Sequence, residues 1–336
     1  MTLKRLLLVL LLPVLLTILF FTSNRSKGKT VWIYASMYKD VVAEFEKPLK
    51  EAFPEIQIRW YQSGSENVAA RVNAELSTGL SQADLILTSD PFWFVELKKG
   101  NHLFPYVSPE SLQLDSKYHD PEGAFSINRL PVGVIVYNKA SISMEQAPRS
   151  WDDLKSSSWR GKISMPSPLE SGTALTFVSQ LVRKKGWPYF EALKKNELLS
   201  AGGNSAVMQR IETGEKPVGI VLLENALQTK KRGANIEIVY PSEGVIPVPS
   251  PIAILAKSKN IESAKKIYDF FFQDTAQRIY LGANVYSPTL KSLAPESAKP
   301  FSEIDKTVFD WNAKILSELQ ENKETIKNKF TEMILQ

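Results

Sequence analysis

The chain has 336 residues, 43% hydrophobic and 23% charged, which is too long for one ordinary core and suits two lobes of globular composition. Lys and Arg number 41 against 36 Asp and Glu, but Lys4, Arg5, Arg25, Lys27 and Lys29 supply the whole excess of +5 before residue 30, so the balanced remainder excludes a nucleic-acid binder. The absence of cysteine excludes disulfides, thiol catalysis, cysteine metal sites and a lipoprotein-type anchor, and with only His102 and His119 a histidine-rich metal site is excluded too.

Lys4 and Arg5 precede the apolar run Leu6 to Phe21, and a polar, basic stretch from Thr22 to Lys29 follows. That order directs export, and the run is short for a membrane span, which takes about 20 residues. Residues 1–28 are therefore a signal segment. Cleavage near Ser23 to Ser26 is the expected outcome, with retention as a membrane anchor the alternative, because Phe21 stands where a small residue is wanted. Either way the body lies outside the cytoplasmic membrane.

Thr30 to Ala35 is β-branched and aromatic and reads as a strand. Val42, Phe45, Leu49 and Phe53 fall at helical spacing within Lys39 to Phe53, where Pro48 predicts a kink. Ile56 to Tyr61 is a second strand, Glu66 to Thr78 a second helix and Asp84 to Thr88 a short buried strand. This β-α-β-α-β order predicts a mostly parallel sheet. Beyond a Pro-, Ser- and Asp-rich stretch, strands are predicted at Val132 to Tyr137, Gly161 to Met165, Val218 to Leu223, Ile236 to Tyr240 and Ile252 to Ala256. Helices are predicted at Trp151 to Leu154, Thr173 to Lys184, Ser205 to Thr213 and Ile261 to Gln273. The tail from Glu303 to Leu335 reads as mostly helical, with Val308, Trp311, Ile315 and Leu319 on one stripe and Lys323 to Lys329 a solvated, charged face.

Four clusters place small polar residues at a strand end or a helix start: Ser36-Met37-Tyr38, Ser63-Gly64-Ser65, Ser171-Gly172-Thr173 and Gly202-Gly203-Asn204-Ser205. Helix N-termini present unpaired N–H groups and partial positive charge, so each suits an anionic or hydroxylated ligand. Simple N-capping explains any one of them; four together point to one cleft beyond the carboxyl ends of strands. No phosphate-loop or dinucleotide fingerprint occurs. Asp90, Glu224 and Glu243 follow strands and are candidates to accept from ligand hydroxyls or pair with a ligand amine. Phe92, Trp93 and Phe94 read as lobe core.

These residues fall into stretches that resemble family 1 extracellular solute-binding proteins, in the branch of ferric-iron, phosphonate and sugar-phosphate receptors of ABC importers. GSENVAARVNAELSTGLSQADLILTSDP (64–91), LPVGVIVYNKA (130–140), PRSWDDLKSSSWRGKISMPSPLESGTA (148–174) and PSEGVIPVPSPIAILAKSKNIESAKKIYDFFFQDTAQ (241–277) carry the resemblance. It implies an α/β, two-lobe periplasmic-binding-protein fold of the second type with crossing hinge strands. Lobe 1 would be residues 29–130 plus 251–295, lobe 2 residues 131–250, and residues 296–336 a C-terminal helical extension. It also implies a monomer without cofactor, delivering a small solute to importer membrane subunits. Ferric receptors of this branch carry adjacent tyrosines where this chain has Glu224-Asn225, so the usual iron site is absent and a phosphorylated or phosphonate-like solute is expected. A polyamine or a chelated metal is the alternative. An exported hydrolase using Asp90 and Glu243 as a carboxylate pair is the competing class, though no nucleophile elbow, zinc motif or triad pattern supports it.

Overall fold

Side chains of the first predicted strand alternate between two sides, and both are buried: Val31, Ile33 and Ala35 enter one apolar cluster and Tyr34 another. A strand covered on both faces belongs inside a parallel sheet flanked by helices. The computed structural model, which describes residues 29–304 and 309–336, places it there; the segment read as an export signal lies outside the described residues. β1 (Lys29–Ala35) pairs in parallel with β2 (Ile56–Gln62) and with β3 (Leu85–Leu87). The last strand, β12 (Ser250–Leu255), runs antiparallel to β3, β4 (Leu103–Phe104) and β5 (Ser126–Arg129) and completes the sheet of lobe 1.

The chain then leaves this sheet. Only Leu130 and Pro131 separate β5 from β6 (Val132–Asn138), which opens the sheet of lobe 2. β6 is antiparallel to β9 (Val218–Leu222), β10 (Ile236–Val239) and β11 (Ile246–Pro247). β7 (Ile163–Met165) is parallel to β8 (Leu199–Ser200) and to β9. Two residues separate β11 from β12, where the chain returns to lobe 1. The sequence predicts mostly parallel pairing, and the crossing strands are where this fails. β5 pairs with β12 and β6 with β11, so the outward and return strands run side by side in opposite directions. The lobes are thus joined by two short strand crossings.

Helices cover both sheets. Lobe 1 carries α1 (Lys39–Ala52), α2 (Ser65–Thr78), α3 (Pro91–Lys99), α8 (Ile261–Phe270) and α9 (Asp274–Gly282). Lobe 2 carries α4 (Gly172–Lys185), α5 (Trp187–Lys195), α6 (Asn204–Thr213) and α7 (Leu223–Lys231). α1 buries Val42, Phe45 and Leu49, and the Phe45 ring lies 5.2 Å from both Phe271 and Tyr280. Pro48 sits inside α1 without ending it. Sequence reading misses α3, α5, α7 and α9, each nine residues long. A segment of that length shows little more than two turns of periodicity, and the apolar pair Leu222-Leu223 that starts α7 reads as the end of β9.

The tail is mostly helical, as expected, and differs from expectation in its charged face. It is not one helical run: α10 (Phe301–Ile304), α11 (Ala313–Glu321) and α12 (Lys323–Phe330) are separate, followed by a π turn over Thr331–Leu335. Trp311 precedes α11, whose first turn is capped by the Asn312 carboxamide accepting from the Ile315 N–H at 2.9 Å; Val308 lies outside the described residues. The charged run is a solvated face only in part: Glu324, Asn328 and Lys329 are exposed, but two of its lysines turn inward. The side chains of Lys323 and Lys327 are only 12% and 19% exposed and turn toward Glu96 and Glu66 of lobe 1.

Candidate functional site

A parallel strand must return through a helix, so its carboxyl end opens on a loop and a helix N-terminus. Lobe 1 repeats this three times: β1 leads to α1, β2 to α2 and β3 to α3. Lobe 2 repeats it three times: β7 leads to α4, β8 to α6 and β9 to α7. A cleft of about 380 Å³ between the lobes is lined by residues from these turns. Lobe 1 contributes Ser36, Tyr38, Gln62 to Ser65, Ser89 and Arg129; lobe 2 contributes Glu170, Ser171, Thr173, Gly203 to Ala206, Leu222 and Glu224.

The N-terminal residues facing the cleft are not occupied as caps. Tyr38, Gly64, Ser171, Gly203 and Leu222 stand at the N-cap positions of α1, α2, α4, α6 and α7, and none makes a side-chain capping hydrogen bond. Their hydroxyls and amides are tied to one another instead. Ser36 Oγ accepts from the Ser89 N–H, Ser171 and Thr173 share a 2.8 Å hydroxyl contact, and the Asn204 amide donates to Thr173 Oγ1 at 2.9 Å. Helix termini left without side-chain caps present N–H donors and partial positive charge to whatever lies in the cleft.

Of the predicted residues, the cleft gathers Ser36, Tyr38, Ser65, Ser171, Thr173, Asn204, Ser205 and Glu224. Three do not line it. Asp90 is spent as the N-cap of α3, its Oδ1 accepting from the N–H groups of Phe92 and Trp93 at 3.0 and 3.3 Å. Burial raises its pKa to about 6, with the Lys323 ammonium pulling the other way. Glu243 lies elsewhere in lobe 2, accepting from the Trp151 and Asp152 N–H groups and pairing with Lys185 at 2.9 Å. Burial works against its ionisation, yet Lys185 and the backbone donors hold it below the usual carboxylate range. Belonging to different lobes and committed to separate partners, Asp90 and Glu243 do not make the carboxylate pair a hydrolase requires. Gly172 brings the start of α4 close to lobe 1: a Cβ there would sit 2.8 Å from Asp90 Cβ and 3.3 Å from Ser65 Cβ.

Sequence reading misses Arg129, Ser89, Gln62 and Glu170. Arg129 is the most consequential. It ends β5, directly before the first crossing, and is only 4% exposed. One terminal nitrogen donates to Ser89 Oγ at 2.9 Å, while Nε has no protein partner. Across the cleft, Glu224 is buried at the start of α7, and its Oε2 also lacks a partner. Burial raises the Glu224 pKa to about 7, with Arg129 opposing the shift. Beside it the Tyr38 hydroxyl from lobe 1 receives a 2.9 Å hydrogen bond from the Asn225 amide of lobe 2. Burial, then Glu224, keeps that phenol protonated above its ordinary value of 10.0.

Two α/β lobes joined by two strand crossings, with a polar cleft between them, define a binding protein of the second periplasmic type. The chain belongs to the bacterial extracellular solute-binding proteins, whose family model matches residues 81–313. Among curated relatives, a putative 2-aminoethylphosphonate-binding periplasmic protein of Salmonella typhimurium is 23% identical over 66% of each chain. An Fe(3+)-binding periplasmic protein of Serratia marcescens is 22% identical over 68% of this chain and 71% of its own. The solved structure of the periplasmic binding protein AfuA from Actinobacillus pleuropneumoniae, with fructose-6-phosphate bound, superposes with a TM-score of 0.80. It is 22% identical, covering 92% of this chain and 99% of that one. These structural likenesses establish the fold.

Two expectations follow. Gly172→Val places a side chain between the lobes and holds them apart, so isothermal titration should show solute affinity reduced by about tenfold or more for a cost on the order of 1–3 kcal/mol; undiminished affinity would show that Gly172 is not a closing contact. Glu224 binds more protons folded than unfolded between its ordinary 4.5 and about 7, so its contribution lowers stability as pH rises through that window. Glu224→Gln should therefore raise the unfolding midpoint at pH 8, by on the order of 5 °C for about 3 kcal/mol. The gain should vanish toward pH 4.5; a pH-independent difference would contradict the assignment.

Proposed function

We propose that this protein is the extracytoplasmic receptor of an ABC importer and that its solute is a small phosphorylated or phosphonate-like compound with a hydrogen-bond donor at its far end. The observation that carries the reading is Arg129: a buried guanidinium with a free Nε, in a cleft ringed by uncapped helix N-termini. Guanidinium and backbone N–H groups together match the acceptor-rich oxygens of a phosphoryl group. A bare cation meets that guanidinium unfavourably, which favours the anion over a polyamine or ferric iron. Two of the similar proteins, the putative 2-aminoethylphosphonate-binding protein and AfuA with fructose-6-phosphate bound, hold compounds of the same chemical class, whereas the Serratia marcescens relative binds ferric iron.

Glu224 supplies the second end. Its free oxygen accepts from a hydroxyl or an ammonium on the solute, and Tyr38 with Asn225 closes over the same side. The arrangement positions a solute and holds it; it offers no nucleophile with an adjacent base, and the members of the family are binding proteins.

A thermal-shift panel of 2-aminoethylphosphonate, phosphoglycerate, fructose 6-phosphate, spermidine and ferric citrate tests the reading. A phosphoryl or phosphonate compound should stabilise the protein, and Arg129→Leu should weaken its binding by roughly a hundredfold, the loss expected when a buried charge-assisted contact is removed. Stabilisation by spermidine or ferric citrate alone, unaffected by Arg129→Leu, would overturn it. Titration across pH then separates the two kinds of donor. An ammonium solute requires ionised Glu224, so its affinity should fall as pH drops below about 7. A hydroxyl solute tolerates the neutral acid, so between pH 7.5 and pH 6 it should lose less affinity than an ammonium solute carrying the same phosphoryl group, whose own second ionisation at about pH 6 then cancels in the comparison.

A further inference from the structure

The C-terminal extension passes between the lobes instead of packing on one. Phe309 donates its N–H to Val245 O of lobe 2 at 3.0 Å, and Asp310 pairs with Lys184 of α4 at 3.0 Å. α11 then lies on lobe 1: Ile315, Leu316 and Leu319 join the apolar cluster that contains Trp93 and Phe94. α12 returns to lobe 2, where Ile326 and Phe330 are buried in its core and the Phe330 ring sits 5.2 Å from Phe190.

α12 nevertheless keeps a grip on lobe 1. Lys323 and Lys327, one helical turn apart, reach Glu96 of α3 at 3.0 Å and Glu66 of α2 at 3.8 Å. Ile326 and Phe330 have the same spacing on the adjoining stripe. One helix therefore carries an apolar anchor in lobe 2 and an ionic contact to lobe 1. It does so at the seam: α12 packs on α4, whose first residue, Gly172, leaves no room for a Cβ beside Asp90 and Ser65, and Lys323 exerts its field on Asp90.

We propose that α12 is a latch across the seam between the lobes, setting how readily they part. Opening must separate α12 from one lobe. The ionic half yields, because two partly exposed pairs are each worth far less than two fully buried side chains. Lobe 2 then carries α12 away, Lys323 and Lys327 leave Glu96 and Glu66, and the chain flexes at Asn322 between α11 and α12. This rests on the lobes being hinged, and the test below separates the two ideas.

The protein has no cysteine, so Ala70→Cys on α2 and Gln209→Cys on α6, both exposed, give a clean pair of spin labels on opposite sides of the cleft. Distances are measured by double electron–electron resonance on the ligand-free full chain. Lys323→Glu/Lys327→Glu should enlarge the long-distance population roughly tenfold relative to the parent. Adding Glu66→Lys and Glu96→Lys should return it toward the parent distribution. Should the double reversal fail to fold, Lys323→Gln/Lys327→Gln carries the same expectation with a smaller shift. Gly172→Val is the control that parts the lobes without touching α12. If the wedge lengthens the distance and the lysine variants leave it unchanged, the latch is overturned and the hinge stands. If neither lengthens it, the hinge is overturned and the latch with it.

Discussion

A parallel strand cannot turn back on itself; it has to be carried over by a helix, and each such unit sets a helix N-terminus at the same edge of the sheet. β1, β2 and β3 do this in one lobe, and β7, β8 and β9 in the other. Because strands cross between the sheets at the β5–β6 and β11–β12 junctions, the two edges face each other over a short connection. The cleft follows from that topology, and so does its electrostatic character: five of the six N-termini enter it without a side-chain cap. The exception, α3, is capped by Asp90 and lies behind the cleft, where its first turn supports the seam against Gly172.

How much of this was legible depended on whether a residue's role is local. Ser36, Ser65, Ser171, Thr173, Asn204 and Ser205 were visible because small polar residues at a strand end or helix start signal the same thing wherever the helix lies. Asp90 carried a local signal too, but a different one. Asp followed by Pro is an N-cap and first-turn pair, and that reading describes its structure better than a ligand contact does. Glu243 shows the limit in the other direction: apart from the neighbouring Ser242 hydroxyl, its partners Trp151, Asp152 and Lys185 are 58 or more positions away. Arg129 was overlooked because it sits in a strand leading into the apolar run LPVGVIVY. A lone arginine where every neighbour is destined for burial was the available signal.

Arg129 and Glu224 explain why the cleft is built of opposing tendencies. Each carries a polar atom that is buried and unpaired, a condition that costs about 1–3 kcal/mol for a neutral group and more for a charged one. Neither cost serves the fold; an apolar pair of similar shape would be more stable. Placing the arginine on the crossing strand ties the cost to the hinge, since the groups that sequester it from water, including Ser89 and Ser250, meet where β5 and β12 pair.

The seam contacts weigh against that cost. Gly172 lets α4 approach Asp90 and Ser65, Asn225 bonds Tyr38, Gln228 donates to Asp40 at 3.0 Å, and α12 joins α4 to α2 and α3. Taken singly these are weak, partly exposed contacts. Together they oppose the penalty of enclosing Arg129 and Glu224, and the difference between the two sets the cost of opening without a solute. A solute that pairs with both groups removes the penalty while leaving the seam contacts untouched. Strong seam contacts would close the lobes on nothing, and their absence would demand that the solute provide all the closing energy itself. The modest ion pairs of α12 lie between those extremes, which is why a helix anchored by Phe330 in one lobe meets the other through lysines.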